Sequence, residues 1–159
     1  MLRQKKLSKE EAFQKLRHYC SYQERSHAEV KEKLYSLGLY KSEVEACIAT
    51  LIENNYLNEE RFALAFAGGK FRIKNWGKIK IRHGLKAKGV SDYCIKKALS
   101  AIPGGDYETA LTKLARAKWS SLRKEQDILV KLRKTQDHLL QKGYEVEMIA
   151  QVLKKLQNE

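Results

Sequence analysis

Between residues 70 and 97 the chain carries ten lysines and arginines against a single acid, Asp92. Eight of them, Lys70, Arg72, Lys74, Lys78, Lys80, Arg82, Lys86 and Lys88, crowd into residues 70–88. The chemistry open to such a run is electrostatic: its ammonium and guanidinium groups can neutralise a polyanion and release its counterions. A solvated helix face usually mixes signs, because unlike charges four residues apart attract and like charges repel. The flanks do mix them, with 11 bases to 10 acids over residues 1–69 and 11 to 8 over 98–159, so the block holds most of the net charge of +13. A nucleic acid or an acidic protein surface is the partner class that this asymmetry points to.

Bond-making chemistry finds little to work with. "AGGK" at 67–70 lacks the preceding strand and the spacing of a phosphate-cradling loop. No Ser or Cys stands in a nucleophile motif, and Glu59 and Glu60 read as partners of a helix dipole rather than as an acid–base pair. Cys20, Cys47 and Cys94 form no C-x-x-C pair, and His18, His27, His83 and His138 keep no metal-ligand spacing. Buried thiols, surface imidazoles, no metal and no cofactor are expected. No apolar run approaches the roughly 20 residues of a membrane span, and no signal peptide is visible behind "MLRQKKLSKEEAF". The expectation is a non-enzymatic cytoplasmic protein, monomeric and without a membrane partner.

The elements that would carry the charges are helical. One proline, Pro103, and an abundance of Ala, Leu, Lys, Glu and Gln favour helix throughout. Ser8-x-x-Glu11, Ser26-x-x-Glu29 and Ser42-x-x-Glu45 fit capping boxes; Asn58 and Asp106 fit N-caps. Superposing Gly38, Gly89 and Gly143 exposes a repeat. Leu34, Leu85 and Leu139 stand four residues before the glycines, and Val44, Ile95 and Ile149 six after. Ile48, Leu99 and Leu153 stand ten after, and Leu51, Ile102 and Leu156 thirteen after. Eight before, Val30 and Ile81 are matched by Thr135. Each copy predicts a helix, a left-handed glycine turn and a second helix, with a further helix leading in over 8–24, 58–74 and about 107–125. The fold expected is all-α: three tandem three-helix repeats over 1–56, 57–104 and 105–159, forming an elongated, curved helical solenoid.

Within the basic helix, Gly77, Ile81, Gly84 and Leu85 share an inward face, and the two glycines predict close helix–helix approach. Lys78, Arg82 and Lys86 form a flanking row. Phe71, Trp76 and Tyr93 read as core or hinge aromatics in preference to base-stacking platforms. A helix-turn-helix transcription regulator is the alternative reading, since helix–Gly–helix is its outline. Its recognition helix would be "SDYCIKKALSAI" at 91–102, which has no Arg, Asn or Gln to read base edges.

Residues 57–90, "LNEERFALAFAGGKFRIKNWGKIKIRHGLKAKGV", resemble the central motif of the RecX family, bacterial regulators of the RecA recombinase. That motif runs L-N-D-E-R-F-A, a basic residue, then G-x-x-R-I-x-x-E-L-x-x-K-G-I. Its first part falls on Leu57, Asn58, Glu59, Glu60, Arg61, Phe62 and Ala63, and its second on Gly77, Lys80, Ile81, Leu85, Lys88, Gly89 and Val90. "RSHAEVKEKL" at 25–34 resembles the family's R-S-x-x-E-L-x-x-K-L. Glu59 stands in place of Asp, and Gly84 in place of Glu. The resemblance implies a protein that binds RecA filaments on single-stranded DNA, lies in the filament groove, restrains recombinase and coprotease activity in repair and the SOS response, and binds DNA directly, duplex included. The eight cations of 70–88 would then make the DNA and filament contacts, with Asn58, Glu60, Arg61, Phe62, Gly77, Ile81, Leu85 and Gly89 as architecture.

Overall fold

Capping residues and apolar stripes divide the chain into α1 (Lys9–Tyr22), α2 (His27–Ser36), α3 (Lys41–Glu53), α4 (Glu59–Lys74), α5 (Lys78–Ala87), α6 (Asp92–Ser100), α7 (Gly104–Ser121), α8 (Ile128–Lys142) and α9 (Val146–Gln157). The computed structural model describes residues 7–159, and among these there is no strand. The helices follow one another as three sets of three, as the repeat predicts. None is long and apolar enough to cross a membrane.

The turn glycines adopt the left-handed conformation, with φ of 88° at Gly38, 76° at Gly89 and 95° at Gly143. In two copies the same bond closes the helix end: Val90 N–H donates to the Leu85 carbonyl at 3.1 Å, and Tyr144 N–H to that of Leu139 at 3.2 Å. The leucine before the turn is fully buried in all three copies. Thr135, the polar member of an apolar column, is buried too; its hydroxyl donates to the Lys131 carbonyl one turn back at 2.9 Å and so needs no water.

Two sequence-derived caps are corrected. At α3 the cap is Tyr40, whose N–H donates to the Glu43 carboxylate at 3.0 Å, so the helix starts ahead of Ser42 and Glu45. At α7 the cap is Pro103, whose φ of −61° is already set by its ring, and Asp106 lies inside the first turn. Ser8, Ser26 and Asn58 cap as expected, accepting from the N–H of Glu11, Glu29 and Arg61. The three thiols are free and buried. Burial pushes Cys20 up to about 11 and raises Cys47 as well, which keeps both protonated and unreactive. His18 and His83 are at the surface, but His27 and His138 are only half exposed, and Nε2 of His27 is buried without a hydrogen bond.

The chain forms two compact units that divide within α4, α5 and α6. Unit 1 takes the chain up to Ala65 and residues 85–97. Here α1, α2 and α3 pack on one another around Leu16, Val30, Leu34, Val44 and Leu51. Arg61 binds this unit's loops together. Its guanidinium donates to Glu24 at 2.5 Å, to the Asn55 carbonyl at 3.0 Å and side chain at 3.2 Å, and to the Tyr56 carbonyl at 3.4 Å. Arg61→Ala leaves a half-buried carboxylate and two carbonyls without their donor, and is expected to destabilise by about 2–3 kcal/mol. Arg61→Lys, a point charge without the fork, should recover only part of that. Urea unfolding checks both, and a loss below about 0.5 kcal/mol for Arg61→Ala would reduce the contact to an ordinary surface pair.

Unit 2 comprises residues 66–84 and 98–159. In it α7, α8 and α9 pack on one another over Leu111, Leu139, Ile149 and Leu156. The rings of Phe71, Tyr107 and Tyr144 form a tilted stack, with centroids 5.9 and 5.1 Å apart.

Candidate nucleic-acid interface

Six of the eight cations of 70–88 belong to unit 2: Lys70, Arg72 and Lys74 on the last turns of α4, and Lys78, Lys80 and Arg82 on α5. The segment joining the two helices is held by backbone. Gly77 N–H donates to the Lys142 carbonyl at 2.7 Å and Ile79 N–H to the Gly143 carbonyl at 3.0 Å. Gly77 stands just ahead of α5 and packs directly on the Gly143–Tyr144 peptide, leaving no room for a Cβ. The close approach predicted for it is therefore made to the α8–α9 turn. The phenol of Tyr144 donates to the Asn75 carbonyl at 3.0 Å. Tyr107 accepts from Lys78 N–H at 2.9 Å and donates to Glu145 at 2.5 Å. Burial pushes Tyr144 up to about 12; burial and then the Glu145 bond raise Tyr107, so both phenols stay protonated as donors.

Around this joint the charges gather on aromatic rings. The ammonium groups of Lys70 and Lys80 lie 4.9 and 4.7 Å from the Trp76 ring, and that of Lys78 lies 4.9 Å from Tyr107. Trp76 meets Phe66 edge-on at 6.4 Å. A Cβ at Gly84 would fall 2.9 Å from Phe66 and 3.5 Å from Trp76. The glycine found where Glu is usual thus makes space for this aromatic pair, and the approach expected at Gly84 is to rings. Arg72 lies back along α4 over Gly68 and lines a cleft with Asp106 and Lys113. Lys74 and Arg82 are exposed.

The basic run splits by pairing. In unit 1, Lys88 meets Glu29 at 3.0 Å, Lys97 meets Glu60 at 3.1 Å, and Lys86 stands 3.9 Å from Asp92. In unit 2, none of the six makes an ion pair among the described residues. Sequence treats all eight alike, whereas the fold neutralises Lys88 and leaves the unit 2 set uncompensated. It also adds a member that sequence missed: Lys142, in the last turn of α8, reaches the Lys74 carbonyl at 3.3 Å. Its only signal was its place beside a turn glycine. Asn58, Glu60, Arg61, Phe62, Gly77, Ile81, Leu85 and Gly89 occupy caps, pairs, core or turns.

Family comparison gives this arrangement its context. The model described as "RecX, second three-helix domain" matches residues 58–99, and "RecX, third three-helix domain" matches residues 106–153, together more than half of the chain. The chain belongs to the RecX family. It is 31% identical over 135 residues to the regulatory protein RecX of Clostridium perfringens strain 13, covering 84% of this chain and 63% of that one. Against the regulatory protein RecX of Bacillus mycoides it is 27% identical over 141 residues, covering 89% and 52%. The chain thus spans less than two thirds of the length of these relatives. A crystal structure of RecX from Lactobacillus salivarius superposes with a TM-score of 0.85 at 23% identity, over 95% of this chain and 97% of that one, and so shares its fold. Relatives with a RecX name carry it as regulatory proteins. Residues 106–153, where the chain keeps only the generic repeat pattern, belong to the RecX pattern as well.

Proposed function

We propose that this chain is a non-enzymatic regulator that binds RecA filaments on single-stranded DNA and lowers their recombinase and coprotease activity. The observation that carries the reading is the set of six cations on 70–82 that make no ion pair among the described residues, around an α4–α5 segment fixed by backbone contacts beside Trp76. In this reading Lys70, Arg72, Lys74, Lys78, Lys80 and Arg82 meet phosphates, joined by Lys142. Lys86 and Lys88 contribute less, because Asp92 and Glu29 already stand beside them. The set presents lysine and arginine ends gathered about Trp76 and Tyr107, which suits contact with a sugar–phosphate backbone in preference to base edges. The three repeats, 1–56, 57–104 and 105–159, share these tasks in one monomer.

The test is the ATPase of RecA on single-stranded DNA with substoichiometric amounts of this chain. A fall in rate is expected at ratios well below one chain per recombinase subunit. An unchanged rate, with filaments shown to be assembled, would overturn the reading.

A further inference from the structure

Unit 1 has a second cationic and aromatic surface, outside the basic block. The face of α1 formed by Lys15, His18, Tyr19 and Tyr22 borders an open cleft, completed by Arg25 from the following turn and Lys33 of α2. The Arg25 guanidinium covers the Tyr19 ring with its carbon 3.6 Å from the centroid, and its Nε donates to the Tyr19 carbonyl at 3.1 Å. The Lys33 ammonium lies 5.8 Å from the same ring. Tyr22 ends α1 with 79% of its surface exposed. Of the three acids on this stretch of chain, Glu24 and Glu29 are engaged by Arg61 and Lys88, and Glu32 is exposed beside Lys33. Lys15, Arg25 and Lys33 make no ion pair among the described residues.

We propose that this cleft is a base-stacking subsite for single-stranded nucleic acid, with a base lying on Tyr22 and flanking phosphates meeting Lys15, Arg25 and Lys33. Ring faces and alkyl stems make its floor, and the cations stand around its edge. That matches a flat apolar base between two anions. An acidic peptide shares the charge, but its amides would need hydrogen-bond partners that ring faces and alkyl stems do not offer. The inference rests on the reading that the chain engages single-stranded DNA, and extends it to the first three helices.

The experiment uses the whole chain with two fluorescent probes: an oligothymidylate, and an oligomer of the same length with abasic sugars. Wild type should favour the oligothymidylate. Tyr22→Ala should weaken the oligothymidylate about tenfold, within the range of one stacked base, and leave the abasic oligomer unchanged. Tyr22→Phe, which keeps the ring, should behave as wild type. Since Tyr22 is exposed, the substitution leaves the core intact. If Tyr22→Ala binds both probes as wild type does, the subsite is overturned while the proposed function stands. If it binds both probes normally but loses RecA filaments, the cleft takes an acidic protein surface and the proposal is equally overturned. Wild type that binds neither probe would remove the DNA-binding reading itself, and the subsite with it.

Discussion

Gly143→Ala is expected to destabilise unit 2 by about 4 kcal/mol, whereas Gly89→Ala, at the same position of the preceding repeat, should cost about 1 kcal/mol. Both residues hold positive φ, 95° and 76°, so each alanine meets the conformational cost of a left-handed residue. The surroundings differ. Nothing lies within 4 Å of a Cβ at Gly89, but at Gly143 the new atom would overlap the backbone and Cβ of Lys80. Relief requires the start of α5 to move away, which stretches the bonds from Gly77 N–H to Lys142 and from Ile79 N–H to Gly143. Overpacking adds roughly 1–3 kcal/mol and the weakened bonds about 1 kcal/mol each. Both tryptophans, Trp76 and Trp119, lie in unit 2, so urea unfolding followed by their fluorescence reads the loss where it occurs. Equal costs at the two glycines would show that the joint is looser than its contacts imply.

Changing Lys74, Lys80 and Arg82 together to Ala should flatten the dependence of log affinity for single-stranded DNA on log salt by about 2, at roughly 0.7 per phosphate contact. Lys86→Ala with Lys88→Ala is the counterpart, from the same basic run but beside Asp92 and Glu29. A cation that already has a carboxylate at 3.0 Å, as Lys88 does, releases fewer counterions when it meets a phosphate. The second variant should therefore change the slope little. Titrations at several salt concentrations decide the matter. If the paired and unpaired sets flatten the slope by the same amount for each cation, pairing has no bearing on DNA contact and the division of the block fails.

Periodic and local features were legible in the sequence. The caps at Ser8, Ser26 and Asn58 follow from spacing over fewer than five residues, and the turn glycines with the buried leucine before each follow from the repeat. Ser42 with Glu45 had the form of a capping box, but α3 had already begun at Tyr40, where Glu43 reaches back to the cap N–H. Features that depend on distant partners were not legible. The pairing of Lys88 with Glu29 joins residues 59 positions apart, and that of Arg61 with Glu24 joins residues 37 apart. No period in a single sequence marks either. The role of Gly84 became visible only with Phe66 and Trp76 in place beside it. The Tyr19–Arg25 stack was hidden for a related reason: Arg25 lies beyond the end of α1, where helical spacing no longer says what faces what.

The backbone joint between Gly77 and Gly143 also bears on affinity. A loop that must become ordered when it meets a partner loses conformational entropy at that moment, and binding is weaker by that amount. Here the segment between α4 and α5 is already ordered by hydrogen bonds from Gly77, Ile79 and Tyr144, and Lys70 and Lys80 are drawn onto the Trp76 ring. Much of that entropy is therefore lost during folding, before any ligand arrives. The basic surface is preorganised: in the proposed function its charges would meet a phosphate chain from a nearly fixed frame, with only side-chain ends left to adjust.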